Sequence, residues 1–218
     1  MIKKRILIIS ICLIQVSCSS VGDALPFYRY TVNTWTSYIT SLGLNITEEQ
    51  HNEIPYAYIY ARIGNSRFSR LILLSETDGL LEWISADREK IYTLNGKIVK
   101  TEGLINDFDI INKEIFNSFP DSQKSYYPIT DFFNPKLSNL QSEIIINNKR
   151  NKRINNPISG REKIDVSVFE EIHHIKKIYW KASNLYYLNN YNEIERTVQK
   201  VHPSMPEIEI VFVRKFKQ

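Results

Sequence analysis

Asn95-Gly96 stands between Lys90–Leu94 and Lys97–Thr101 and constrains the fold more than any other dipeptide in the chain. A two-residue hairpin loop matches the twist of its strands as a type I′ or II′ turn. Type I′ needs positive φ at both central residues, and Asn-Gly supplies both at least cost. An antiparallel pair is therefore predicted here, and the preceding residues extend it. After Pro55, Tyr56, Tyr58 and Tyr60 alternate with Ala57, Ile59 and Ala61. Gly64-Asn65-Ser66 marks a turn before Phe68–Glu76, and Asp78-Gly79 another before Leu80–Ser85. Period two between turn residues describes half-buried strands on short loops. Four or five antiparallel strands in under fifty residues make a meander, and Gly103 lets the chain bend off it. Within the meander Trp83 fits a half-buried strand face, and Asp87 is placed to close a turn.

The remainder is read more coarsely. From Phe27 to Leu42, Tyr28, Val32, Trp35, Ile39 and Leu42 recur at helical spacing and Gly43 comes next, which predicts an amphipathic helix. Asp107–Phe119 is predicted helical, with Pro120, Pro128 and Pro135 breaking the stretch beyond it. Ser142–Asn147 reads as a strand, as do Ile164–Glu171, Ile175–Ala182, Leu185–Leu188, Glu193–Lys200 and Glu207–Phe216. No solenoid repeat and no long linker divides the chain. The expected fold is mainly β: an antiparallel meander forming a partly open barrel or sandwich, with an N-terminal amphipathic helix, in a single β-rich domain over 27–218.

Charge and cysteine content depend on the first eighteen residues. The chain has 218 residues, 28 Lys+Arg against 24 Asp+Glu, a net +4 and two cysteines. Lys3, Lys4 and Arg5 precede Ile6–Val16, an apolar run broken by Ser10 and Gln15. A basic segment before about 7–15 apolar residues is an export signal. The run is too short for a spanning helix, which needs about 20 residues. Val16-Ser17-Cys18 then resembles the lipobox of bacterial lipoproteins, with Gln15 standing where an apolar residue is usual. The resemblance implies a signal peptide over 1–17, a diacylglyceryl group on Cys18, further acyl (palmitate-type) chains and a short tether over 18–26. Ser19 after the cysteine, rather than Asp, implies an outer-membrane address facing the periplasm. Without residues 1–17, 25 basic residues face 24 acidic ones, a net +1. Such a body gives no reason to expect a nucleic-acid partner, and Cys12 leaves with the signal.

The strand block also carries a family likeness. Ile54-Pro55-Tyr56-Ala57, Leu71-Ile72-Leu73-Leu74, Leu81-Glu82-Trp83-Ile84-Ser85-Ala86-Asp87 and Asn95-Gly96-Lys97-Ile98-Val99-Lys100-Thr101-Glu102-Gly103-Leu104 occur in order. Together with Asn184-Leu185-Tyr186-Tyr187, Arg196-Thr197-Val198-Gln199 and His202-Pro203, the series resembles the YjbF/GfcB lipoproteins of group 4 capsule and exopolysaccharide gene clusters. From about Asn106 to Asn156 no likeness is seen. The resemblance implies a non-enzymatic outer-membrane lipoprotein that assists polysaccharide assembly or export alongside other envelope proteins. The alternative is a periplasmic barrel-like carrier or binding module for a small apolar or glycan ligand.

Residues able to carry chemistry are sparse. His51, His173, His174 and His202 stand in no metal-ligand spacing, and His173 and His174 within one strand point to opposite faces. No nucleophile elbow, phosphate loop or dinucleotide fingerprint occurs. The carboxylate pairs Glu48-Glu49 and Glu170-Glu171 read as solvated surface. No catalytic residue, cofactor or metal is therefore expected. Between Asn147 and Pro157, Lys149, Arg150, Lys152 and Arg153 form a basic loop, a candidate contact for an acidic polysaccharide.

Overall fold

The computed structural model describes residues 46–121, 125–148, 151–156, 158 and 163–215. All of them belong to the unit Gly43–Gln218, the other unit being Met1–Leu42. The signal peptide, Cys18, the tether and the Phe27–Leu42 stripe lie outside the described residues.

The meander folds as its alternation predicts. Strands β1 (Tyr58–Ile63), β2 (Ser69–Thr77), β3 (Leu80–Ile84), β4 (Lys90–Leu94) and β5 (Lys97–Glu102) pair in succession, each antiparallel to the last. Asn95 and Gly96 have φ values of 48° and 75°, and Asp78 and Gly79 values of 54° and 81°. Both two-residue loops are thus left-handed at both positions, as type I′ requires. Trp83 is more deeply placed than alternation alone suggests. It is fully buried, and its Nε1 donates to Thr93 Oγ1 at 2.8 Å across the ladder.

Tertiary pairing overrides the local pattern further on. Asp107–Phe119 is not a helix but β6 (Phe108–Ile110) followed by a 3-10 turn at Lys113–Phe116. Asp109 faces Lys100 on one side and Asp131 on the other, and the ladders on both sides hold this stretch extended. Ile175–Ala182 is not one strand either. β12 (Lys163–Ile175) turns through Lys176–Ile178 and Tyr179 into β13 (Trp180–Leu188), a reversal with no Gly, Pro, Asn or Asp to announce it. A short helix, α1 (Glu48–Asn52), is closed by a capping box between Thr47 and Gln50, an element that helical periodicity alone does not reveal.

Strands β7 (Ser125–Tyr126), β8 (Ile129–Phe132), β9 (Leu137–Gln141) and β10 (Glu143–Asn148) make one continuous ribbon. Tyr126 faces Ile144 and Ile129 faces Gln141, so the register carries over from one pair to the other and shifts only between Thr130 and Phe132. It is interrupted at Pro128, which has no N–H to give; its carbonyl still accepts from Ser142 N at 3.0 Å. With β11 (Lys152–Asn155), β14 (Ile194–Gln199) and β15 (Ile208–Arg214), the order is β7-β10-β12-β13-β14-β15-β1-β2-β3-β4-β5-β6-β8-β9, with β11 beside β12.

The ladder is open, since the end strands β7 and β9 do not pair with each other. Yet two residues link β7 to β8 and one links β9 to β10. At 3.8 Å per Cα step the two ends of the sheet lie within about 11 Å of each other. The expected partly open barrel or sandwich is therefore a single antiparallel sheet that curls back on itself and is not closed into a barrel. Trp83, Phe108, Phe116, Phe132 and Tyr186 fill its inner face. β1 joins the last strand, with Tyr58 facing Arg214 and Ile63 facing Ile208. Ile154, opposite Ile164, draws β11 into a small outer cluster with Val166, Val168 and Tyr187. This makes the described part of the expected basic loop a strand.

Candidate functional site

The two sides of the curled sheet meet in a buried polar cluster. Lys97 opens β5 directly after the Asn95-Gly96 turn. Glu171 lies on the inner face of β12 with Phe169, His173 and Ile175, because strand side chains alternate. Asn184 of β13 stands directly opposite Glu171, and Thr197 of β14 opposite Tyr186.

Their bonds interlock. Lys97 Nζ lies 2.6 Å from Glu171 Oε2, to which the Tyr186 hydroxyl donates at 2.7 Å. Asn184 Nδ2 donates to Glu171 Oε1 at 2.8 Å, while Asn184 Oδ1 accepts from Lys200 N at 2.7 Å. Gln199 reaches across to the hairpin: its Oε1 accepts from Ile98 N at 3.0 Å, and its Nε2 donates to Gly96 O at 2.9 Å. The Lys97 ammonium also lies 4.9 Å from the centre of the Phe116 ring and 5.4 Å from that of Phe119.

Electrostatics follow from this burial. Burial pushes the Glu171 carboxyl up, but the Lys97 charge, the nearby His173 and the bonds from Lys97 and Tyr186 outweigh it and hold the group below its ordinary value. Burial pulls the Lys97 ammonium down against the opposing pull of Glu171. Burial, then the Glu171 charge, raises the Tyr186 phenol well above its usual range. His173 is brought down to about 4, by burial first, and is neutral at neutral pH. Its Nδ1 is 3.9 Å from Glu171 Oε1, too long for a hydrogen bond.

What the cluster does chemically is set by access. The Lys97 and Glu171 side chains are 3% and 0% exposed. Their charges are committed to one another and almost none of the pair's surface meets solvent, so the arrangement clamps the β4–β5 hairpin onto β12, β13 and β14. Such a pair repays its desolvation only with good geometry and added hydrogen bonds, and this one has both.

The expected site residues fare differently. Glu48 and Glu49 are exposed, as expected, but Glu171 is not solvated surface: β12 turns it inward, where Lys97 neutralises it. His173 is buried and His174 is not, on opposite faces as expected. Among the described residues no group of three His, Cys, Asp or Glu is placed to hold a metal ion. Lys152 and Arg153 are exposed on β11, where Arg153 Nε donates to Asp165 Oδ1 at 2.7 Å. Lys149 and Arg150, like Cys18, lie outside the described residues. No member of the clamp stands out in the sequence as a site residue, although Gly96, Lys97, Asn184, Tyr186, Thr197 and Gln199 all belong to the segments that carry the family likeness. The signal is a set of polar side chains at inward positions of apolar strands.

A family model described as group 4 capsule polysaccharide lipoprotein gfcB, YjbF matches residues 34–213. The chain belongs to the YjbF family. A curated relative, the uncharacterized lipoprotein YjbF of Escherichia coli (strain K12), is 28% identical over 98 residues, or 45% of this chain. The match spans 44% of that relative's length. The crystal structure of the hypothetical lipoprotein YmcC from Escherichia coli (K12) aligns with a TM-score of 0.67 at 15% identity. It covers 86% of this chain and 97% of the other, so the YjbF-family fold described above is shared with it.

Proposed function

We propose that this YjbF-family chain is a non-enzymatic outer-membrane lipoprotein, anchored through Cys18 and facing the periplasm. It assists assembly or export of a capsule or exopolysaccharide through contacts with other envelope proteins. The observation that carries the reading is the sealed clamp: Lys97 and Glu171 serve the sheet and offer nothing to a substrate. A carrier needs a cavity of roughly 300–1,000 Å³. Trp83, Phe108, Phe116, Phe132 and Tyr186 pack into the interior, which favours an assembly partner. The family's description as a capsule polysaccharide lipoprotein and the lipoprotein names of its relatives support the setting.

The test is a strain lacking the gene, complemented with the native chain or with Cys18→Ser. Surface polysaccharide should fall without the gene, return with the native chain and stay low with the serine variant. Globomycin should make a heavier precursor accumulate. Undiminished surface polymer in the deletion strain would defeat the reading. Acidic polymer is also proposed to touch Lys149, Arg150, Lys152 and Arg153. Reversing their charges should weaken retention on a polymer-loaded column, and equal retention at every salt concentration would reject that contact.

A further inference from the structure

Tyr179 is the most exposed large hydrophobic side chain among the described residues, at 97%, and it holds φ at 52°. Bulky residues rarely enter this left-handed region. Of the seven described non-glycine residues with positive φ, five are Asn or Asp, which tolerate it; Tyr179 and Arg88 are the exceptions. The ring gains no packing in return for the strain. Asparagine or glycine would close the same turn more stably, so the fold itself gives no reason for a tyrosine here. Strain held without internal compensation points outward, to a partner.

The turn is also basic. Lys176, Lys177 and Lys181 are exposed around Tyr179. Lys176 Nζ lies 3.6 Å from Glu143 Oε2, and no carboxylate pairs with Lys177 or Lys181 among the described residues. An aromatic face flanked by ammonium groups suits a ring that carries carboxylates.

The turn also stands apart from the point where the described chain enters. The described chain enters at α1, where His51 O accepts from Arg214 Nη2 at 2.7 Å and His51 Nδ1 lies 2.9 Å from the Tyr58 hydroxyl. Tyr58 begins β1 beside the end of β15, which neighbours the start of β14 and, through it, Leu188 at the end of β13. Tyr179 precedes the other end of β13. Nine residues at about 3.3 Å each put that turn roughly 30 Å from the entry end. The turn and the point at which the described chain enters thus lie at opposite ends of β13.

We propose that the β12–β13 turn is a binding site for an acidic polysaccharide, with Tyr179 stacking on a sugar ring and Lys176, Lys177 and Lys181 meeting its carboxylates. It is separate from Lys152 and Arg153, which sit on β11 beside the first residues of β12. The site rests on the polysaccharide reading above.

The probe is a polygalacturonate oligomer, titrated calorimetrically into the full lipidated chain in zwitterionic detergent. A neutral dextran oligomer and phosphatidylglycerol vesicles serve as the other arms. Salt-sensitive binding of polygalacturonate over dextran is expected. Tyr179→Gly, and separately the pair Lys177→Glu and Lys181→Glu, should weaken it tenfold or more, while Tyr179→Phe stays within twofold. Tyr179→Gly should melt no lower than the parent, which separates lost contact from lost fold. Parent-like affinity in Tyr179→Gly, or vesicle binding that depends on Tyr179 and displaces the oligomer, would overturn the site. Oligomer binding that instead tracks Lys152 and Arg153 would sink this site and leave the polysaccharide reading standing. Binding at Tyr179 in a chain whose deletion spares the capsule would do the reverse.

Discussion

Replacing Lys97 by methionine removes the cation from Glu171 and keeps nearly the same length of side chain. Glu171 then retains Tyr186 at 2.7 Å and Asn184 at 2.8 Å, but its charge is left without a counterion at 0% exposure. Breaking a buried pair in this way costs about 3–5 kcal/mol, against a total stability of roughly 5–15 kcal/mol. A domain of this size loses about 2–4 °C of melting temperature per kcal/mol, so the variant should melt about 6–20 °C lower. Glu171→Gln should be comparably harmful, because it leaves the Lys97 ammonium unpaired beside the Phe116 and Phe119 rings. The double variant removes both charges and keeps an amide to bond Tyr186 and Asn184. It should lose at least about 2 kcal/mol less than the two single losses combined, within the coupling energies seen for residues in contact. Urea unfolding of all four chains measures this cycle. A loss under about 1 kcal/mol for Lys97→Met, or strictly additive effects, would refute the idea that the pair is a coupled clamp.

Other consequences can be checked in the same chain. His173 is held at about 4 in the fold, against about 6.5 when unfolded, so between those values the unfolded chain binds a proton that the folded one lacks. Stability should therefore fall by about 3 kcal/mol as pH drops from 6.5 to 4, and His173→Phe should flatten that slope in denaturant titrations across pH. Gly96→Ala forces a Cβ onto φ 75°, 3.1 Å from Ile194 Cγ2, so melting should fall by several degrees. Tyr179→Gly relieves the left-handed strain and should be neutral or stabilising by up to about 1 kcal/mol in thermal unfolding. Arg153→Ala, which breaks only an exposed pair with Asp165, should change stability by under about 1 kcal/mol.

Legibility in the sequence tracks how local each cause is. The β1–β5 meander can be read because its turns announce themselves in Asp78-Gly79 and Asn95-Gly96 and its strands alternate. Asp107–Phe119 misleads because its extended form depends on ladders to β5 and β8, which no local pattern encodes. The β12–β13 reversal is hidden because Lys176–Tyr179 contains no turn residue. The clamp escapes for a related reason. A buried lysine and a solvated one look alike until Glu171, 74 positions away, arrives opposite it. Adjacent carboxylates suggest surface, whereas strand parity sends Glu170 and Glu171 to different faces. The segments of the family likeness near the C-terminus hold much of the clamp, since they supply Asn184, Tyr186, Thr197 and Gln199.

Pairing of β1 with β15 also imposes an order of events on a chain made from its N-terminus. The meander has what it needs for its own hydrogen bonds early, but the outer edge of β1 stays bare until Ile208–Arg214 has been synthesised. Throughout that interval Trp83, Ile91 and Ile98 line an uncovered apolar face next to a free strand edge. Such a surface invites pairing with any other extended chain nearby. Protection for the nascent protein is therefore needed most between completion of β5 and arrival of the last strand.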